Sequence, residues 1–338
     1  MIFGHSRPAL KRFELLLFAS PEKRCLHVLE QLDEKRLPKR AWIVEFKDYE
    51  EPQPRDAARE DIRAQRAYAR NRKAIHSWLK KRSIEEKSIP CHLGLLVPFD
   101  DSLGPISPFE LPLVVDISCA PRGRLLALLE YLSRCQKLFN LRVYLTYTLV
   151  RRQVTEEEGY SYGIQDIAVI PGFNGEIRLR RDLLVLVLGF EGNRAFSLYR
   201  RLAPNKTFLL LGDSGDEERD FYIKHARENN SGLLRIHGVE ARFIPSRDPL
   251  AFATGFSKFL TEKIEPIKQH YNVYVSCLGT KLQTLGMYWA LRQHGYIQAI
   301  DSIPSGRRIA TFGRRGTLFI DLGSTGLLDQ PSELTISS

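Results

Sequence analysis

Four stretches of the 338-residue sequence set hydroxyl, glycine and charged side chains directly after an apolar run, where a strand turning into a helix can hold an anion. In the first, Asp116-Ile117-Ser118-Cys119-Ala120-Pro121-Arg122-Gly123-Arg124, Pro121 suits the first helical position. Ser118 then lies in the turn, and Arg122 and Arg124 lie in the first helical turn. A cation there opposes the helix dipole by about 0.3–1 kcal/mol, and a bound anion would give it a reason to be there. The second stretch is Gly189-Phe190-Glu191-Gly192-Asn193-Arg194. Gly189 and Gly192 allow a tight turn and close backbone approach, Asn193 can cap, and Arg194 again falls in a first turn.

The third stretch, Gly212-Asp213-Ser214-Gly215-Asp216, offers two carboxylates and a hydroxyl. It would repel phosphate, and suits a ribose or base edge or a helix cap. The fourth, Ser276-Cys277-Leu278-Gly279-Thr280-Lys281, places Gly279, Thr280 and Lys281 at a strand–helix junction as a phosphate-binding loop would, without the GxxxxGK[ST] spacing. Arginine at a helix start can also pair with a local carboxylate, so each turn alone has a purely structural reading. The recurrence over three turns favours an anionic ligand.

Asp116, Glu191 and Asp213 could meet at one sheet edge as general acid/base groups, which keeps a nucleotide- or nucleic-acid-cleaving hydrolase open as the alternative. No nucleophile is set beside a base by spacing. The eight histidines show no metal-ligand spacing, and the five cysteines form no CxxC pair. They read as small buried hydrophobes in a reducing compartment, with no metal or cofactor expected.

These turns need strands before them and helices after them, and the sequence supplies both. Short β-branched or Leu-rich runs alternate with amphipathic stretches almost throughout, which predicts an α/β fold of Rossmann-like character. Mostly parallel sheets with helices on both faces are expected, in two lobes. We place an N-terminal lobe with a long basic helix at residues 1–150 and a C-terminal Rossmann-like lobe at 160–330, divided in the polar segment 148–163. Strands are expected at 13–19, 41–46, 92–97, 111–117, 141–146, 166–170, 183–188, 207–211 and 271–276, and around Leu233 and Ala241. The longest apolar run, Leu183–Leu188, is six residues, far below the ~20 of a membrane span. The first twelve residues hold no apolar stretch of the secretory kind, so a cytoplasmic location without membrane contact is expected.

The net charge is +10, and residues 55–87 carry eleven Lys/Arg against five Asp/Glu, more than half of the excess. Clustered cations can contact nucleic-acid phosphates. Interspersed acids and the lack of aromatic interleaving favour a solvated face, and a third reading is a scaffold that docks an acidic partner through this helix.

The turn Cys277-Leu278-Gly279-Thr280-Lys281-Leu282, with Leu285-Gly286 on its helix, resembles the glycine–threonine–lysine turn of CARF domains, the CRISPR-associated Rossmann-fold sensors of cyclic oligonucleotides. Together with the Asp-Ile-Ser and Gly-Phe-Glu-Gly-Asn-Arg turns it also resembles bacterial proteins of phage-defence gene neighbourhoods. The resemblance implies that Thr280 and Lys281 contact ligand phosphates and that Ser118 lies near the ligand. It further implies a nucleotide or cyclic oligonucleotide ligand and a sensor or subunit of an anti-phage assembly. CARF proteins usually carry a nuclease, HEPN or DNA-binding effector after the sensor. No such segment is separable here, which points to other protein subunits or the second lobe for the readout.

Overall fold

The computed structural model describes residues 10–50, 59–104, 107–151, 161–213, 217–246, 248–307, 313–329 and 335–337. In chain order the strands are β1 (Glu14–Phe18), β2 (Arg40–Phe46), β3 (Glu85–Cys91), β4 (Leu113–Asp116), β5 (Val143–Arg151), β6 (Ser161–Tyr162), β7 (Asp166–Asn174) and β8 (Arg181–Val187). They continue with β9 (Lys206–Asp213), β10 (Val239–Pro245), β11 (Tyr271–Cys277), β12 (Ile297–Ile303), β13 (Gly306–Arg307), β14 (Gly313–Asp321) and β15 (Thr335–Ser337). The helices are α1 (His27–Glu30), α2 (Arg59–Lys81), α3 (Asp100–Leu103), α4 (Arg122–Phe139), α5 (Gly192–Leu202), α6 (Glu217–Asn229), α7 (Ser231–Leu234), α8 (Pro249–Phe259) and α9 (Lys281–Gln293).

The chain forms two compact units. The first comprises residues 1–121, 130–160 and 307–338, and the second residues 122–129 and 161–306. The sheet of the first unit runs β15-β14-β5-β4-β1-β2-β3. β1 to β5 are parallel, and β14 and β15 add on antiparallel beyond β5. β1 is buried along its whole length, as its unbroken apolar sequence requires of a strand covered on both faces.

The sheet of the second unit runs β10-β9-β8-β11-β12-β7, parallel except for β7. β8, the Leu183–Val187 run, lies at its centre with those five residues fully buried. In each unit the chain lays down three strands outward, returns to the other side of the first, and lays down two more. This order creates a switch point, between β1 and β4 in one unit and between β8 and β11 in the other. Right-handed crossovers put the helices before and after that return on opposite faces of the sheet. Open parallel sheets bind ligands at the carboxyl ends of the two strands flanking such a point.

Two expected strands are corrected. The strand expected at 92–97 lies at Glu85–Cys91, where Ile89 and Cys91 face inward and the other five residues are exposed. It pairs with β2 alone, so an edge position explains why it needs so few apolar residues. The segment around Leu233 is the short helix α7, with Leu233 buried in its turn. Pro121 is the residue before helix α4 rather than its first, so Arg122 opens that helix.

Candidate functional site

The second unit brings two of the four turns together at its switch point. After β8 the chain runs through Gly189 to Glu191 and enters α5, and after β11 it runs through Leu278 to Thr280 and enters α9. The Leu278 amide donates to the Val187 carbonyl at 2.8 Å, which ties the start of one turn to the end of the other strand. A Cβ on Gly189 would run into the Leu278 carbonyl, and one on Gly192 into the Asn229 carbonyl. On Gly279 it would strike the Gln283 side chain. The three glycines therefore admit neighbouring protein atoms at these positions.

Arg122 joins the two turns. Its Nε donates to the Gly279 carbonyl at 2.7 Å, and its Nη1 lies 3.0 Å from Glu191 Oε2. The same carboxylate oxygen accepts from Arg194 Nη1 at 3.1 Å. Arg194 is buried, and it also donates to Asp301 Oδ1 at 3.2 Å, to Ser302 Oγ at 2.9 Å and to the Ser302 carbonyl. Asp301 Oδ2 in turn accepts from the Gly123 amide at 3.2 Å. Two guanidiniums and two carboxylates thus form one charge-balanced network. Burial disfavours the charge on Arg122, but Glu191, with Cys277 and Asp301 behind it, outweighs that and holds its pKa above the ordinary value.

Asp301 and Ser302 were not legible as site residues, because both sit inside an apolar-looking strand, β12. Arg124, the other first-turn arginine of α4, is fully buried. Asn193 is exposed at the second position of α5 and does not cap it; Glu191 holds the cap position.

Thr280 caps α9 in a complete capping box. Its hydroxyl accepts from the Gln283 amide at 3.2 Å, while Gln283 Oε1 accepts from the Thr280 amide at 2.7 Å. Lys281 follows as the first helical residue, half-buried, in a first turn without acidic residues. The positive end of the α9 dipole and the ammonium group are therefore adjacent, an arrangement that favours an anion.

The switch point of the first unit carries a different set. Asp116 ends β4 fully buried, accepting from the Ser118 amide at 3.2 Å, from the Ser118 hydroxyl, and from Thr146 Oγ1 at 3.4 Å. Ser118 Oγ accepts from the Thr148 amide at 2.8 Å. Burial pushes the Asp116 carboxyl up to about 6, against the pull of its Ser118 hydrogen bonds and of the Arg24 charge. Arg24, just past β1, is itself held by Glu22 at 2.6 and 2.9 Å. Asn71 of α2 fixes the same corner by donating to the carbonyls of Ser20 and Pro21 at 2.9 and 3.0 Å.

Asp116 belongs to the first unit, Glu191 is taken by two guanidiniums, and Asp213 is exposed at the end of β9. Ser214, Gly215 and Asp216, the remainder of the third turn, lie outside the described residues. The cysteines are free thiols, and burial pushes Cys25 up to about 12 and raises Cys119 and Cys277. Among the described residues no His, Cys, Asp and Glu group could hold a metal ion, and no helix is long and apolar enough to cross a membrane.

No family model and no curated protein matches the sequence. Among solved structures the chain is similar to a type III CRISPR defence DNA nuclease activated by cyclic oligoadenylate. The identity is 12% and the TM-score 0.49, over 88% of this chain and 67% of that one. A lesser likeness is to SCL7 of Oryza sativa, with 14% identity and a TM-score of 0.24 over 46% of this chain and 38% of that one. Another is to a first-module ketoreductase of phoslactomycin biosynthesis from Streptomyces sp. HK803, with 12% identity and a TM-score of 0.20 over 84% and 63%. The α/β Rossmann-like architecture itself follows from the two strand orders.

Proposed function

We propose that the chain binds a nucleotide or oligonucleotide through the turn Gly279-Thr280-Lys281, as a sensor or subunit of a bacterial anti-phage assembly in the cytoplasm. The observation that supports this reading is the place of Lys281. It opens α9 directly after β11, one of the two strands flanking the switch point of the second unit, in a first turn that holds no acid. Such a lysine adds to the helix dipole instead of offsetting it, so a phosphate there gains from both. Arg122 and Arg194 keep the two turns in register through Glu191 and Asp301, which spares the ligand the cost of ordering them.

A thermal-shift screen tests this. Mono-, di- and cyclic nucleotides are added to the full chain, with cyclic oligoadenylate, the activator of the CRISPR nuclease named above, among them. A ligand present at about 100 times its Kd stabilises by about 2.7 kcal/mol, a shift of a few degrees. No shift with any member at millimolar concentration would remove the reading.

A further inference from the structure

The cations of helix α2 and of the turn that follows it fall into two groups. Arg72 and Arg82 are partly buried and paired: Arg72 with Glu45 at 2.9 Å and Glu50 at 3.1 Å, Arg82 with Glu34 at 3.4 Å and stacked on Trp78 at 4.2 Å. Arg59, Arg63, Arg66, Arg70, Lys73 and Lys80 are all exposed, and among the described residues none is ion-paired. Their spacing is four, three, four, three and seven residues, the interval that keeps side chains on one face of a helix. Lys81 borders the same face. The core-facing side, with Ala64, Tyr68, Asn71, Ile75 and Leu79, is buried. The stripe is therefore the outward side of a helix anchored along its whole length. From Arg59 to Lys80 it extends about 32 Å, with a step of about 4.5–6 Å between neighbours wherever none is skipped.

We propose that this stripe is a docking surface for the phosphate backbone of a nucleic-acid duplex. Like charges a few ångströms apart repel, and neither acid of the helix sequence, at positions 60 and 61, falls in the stripe spacing. A polyanion with regularly repeated charges offsets this along the full length, with release of its counterions. An acidic protein partner fits less well. Protein interfaces centre on apolar and aromatic anchors with charge kept to the rim, whereas only Ala69 and Ser77 are exposed among these cations. Single strands are held by stacking bases on aromatic side chains, and the stripe has none. A duplex presents its phosphates in stiff rows and needs only cations. Arginine, four of the six positions, meets phosphate with two parallel hydrogen bonds. Beside the stripe lies a groove of about 600 Å³, lined by Lys73 and Lys80 of the stripe and by Arg72, His76 and Glu86, the last three joined in ion pairs. This inference stands independently of the small-ligand reading.

The test is fluorescence anisotropy of the full chain with a labelled duplex of about 25 base pairs, as a function of salt. Six phosphate contacts predict that log K falls with log salt at a slope of about −5, roughly a thousandfold loss between 50 and 200 mM. The variant Arg66→Gln/Arg70→Gln/Lys73→Gln keeps helix propensity at exposed positions, and should lower the slope by about 3 and the affinity at least tenfold. Arg82→Gln removes one charge off the stripe and should leave both unchanged. Three results overturn the proposal: no duplex binding at 50 mM salt, a triple variant that binds like the parent, or binding of a single strand or of polyglutamate that equals the duplex.

Discussion

The guanidinium of Arg122 links the turns after two strands, with Nη1 3.0 Å from Glu191 Oε2 and Nε donating to the Gly279 carbonyl at 2.7 Å. Because Arg194 shares that carboxylate oxygen, Glu191 is the hub of a buried ion network. Replacing it leaves two desolvated cations short of an acceptor. Glu191→Gln should cost about 3–5 kcal/mol, the range for breaking a buried pair by removing one partner. Urea unfolding measures it, and a variant within about 0.5 kcal/mol of the parent would mean the network is not structural.

The pH dependence should carry the mark of Asp116. Its folded carboxyl titrates near 6, above the ordinary 3.8, so between those values the folded chain holds the proton more tightly than the unfolded one. Stability from this group is complete below about pH 4 and is lost as the pH rises through 6, by about 3 kcal/mol at 1.4 kcal/mol per unit. Subtracting the profile of Asp116→Asn from that of the parent should isolate a fall between pH 4 and 6. A flat difference, or one of opposite sign, contradicts the burial argument.

Gly189 and Gly192 should not tolerate alanine. A methyl group at either position meets a carbonyl oxygen of Leu278 or Asn229, and backbone cannot give way as a side chain can. Overpacking of this kind costs about 1–3 kcal/mol, read from denaturation midpoints. Gly295, whose added Cβ would meet nothing within 4 Å, is the control and should accept alanine with little change.

Much of this architecture could be read from the sequence, because β8 and β1 are unbroken apolar runs and the helices that follow carry recognisable starts. The order of strands could not be read. Nothing in Gly313–Asp321 announces that it pairs with β5, since pairing partners are set by register between distant segments. At the site, the arginines are recognisable in the sequence as cations at helix starts. Their partners were obscure for a physical reason: Glu191 looked like a possible base, and Asp301 like a polar interruption of a strand. Only their convergence on Arg122 and Arg194 reveals that both neutralise charge. Lys281 opens α9 directly after β11, at the strand end where the switch point lies.

Thr280 and Lys281 are adjacent and should separate cleanly. Thr280→Ala removes a cap whose hydroxyl accepts from the Gln283 amide, and should cost about 1 kcal/mol of stability. Lys281→Ala leaves the capping box in place and should cost less stability than Thr280→Ala. A stability loss at Lys281 equal to that at Thr280 would assign the lysine a packing role.

Isothermal titration of the parent and of Lys281→Ala with the best nucleotide ligand bears most directly on the account. A charge-assisted contact worth about 1.5–3 kcal/mol predicts an affinity loss of roughly 10- to 100-fold with the fold intact. Equal affinity of the two proteins would contradict the assignment of the α9 start as the place where the anion is held.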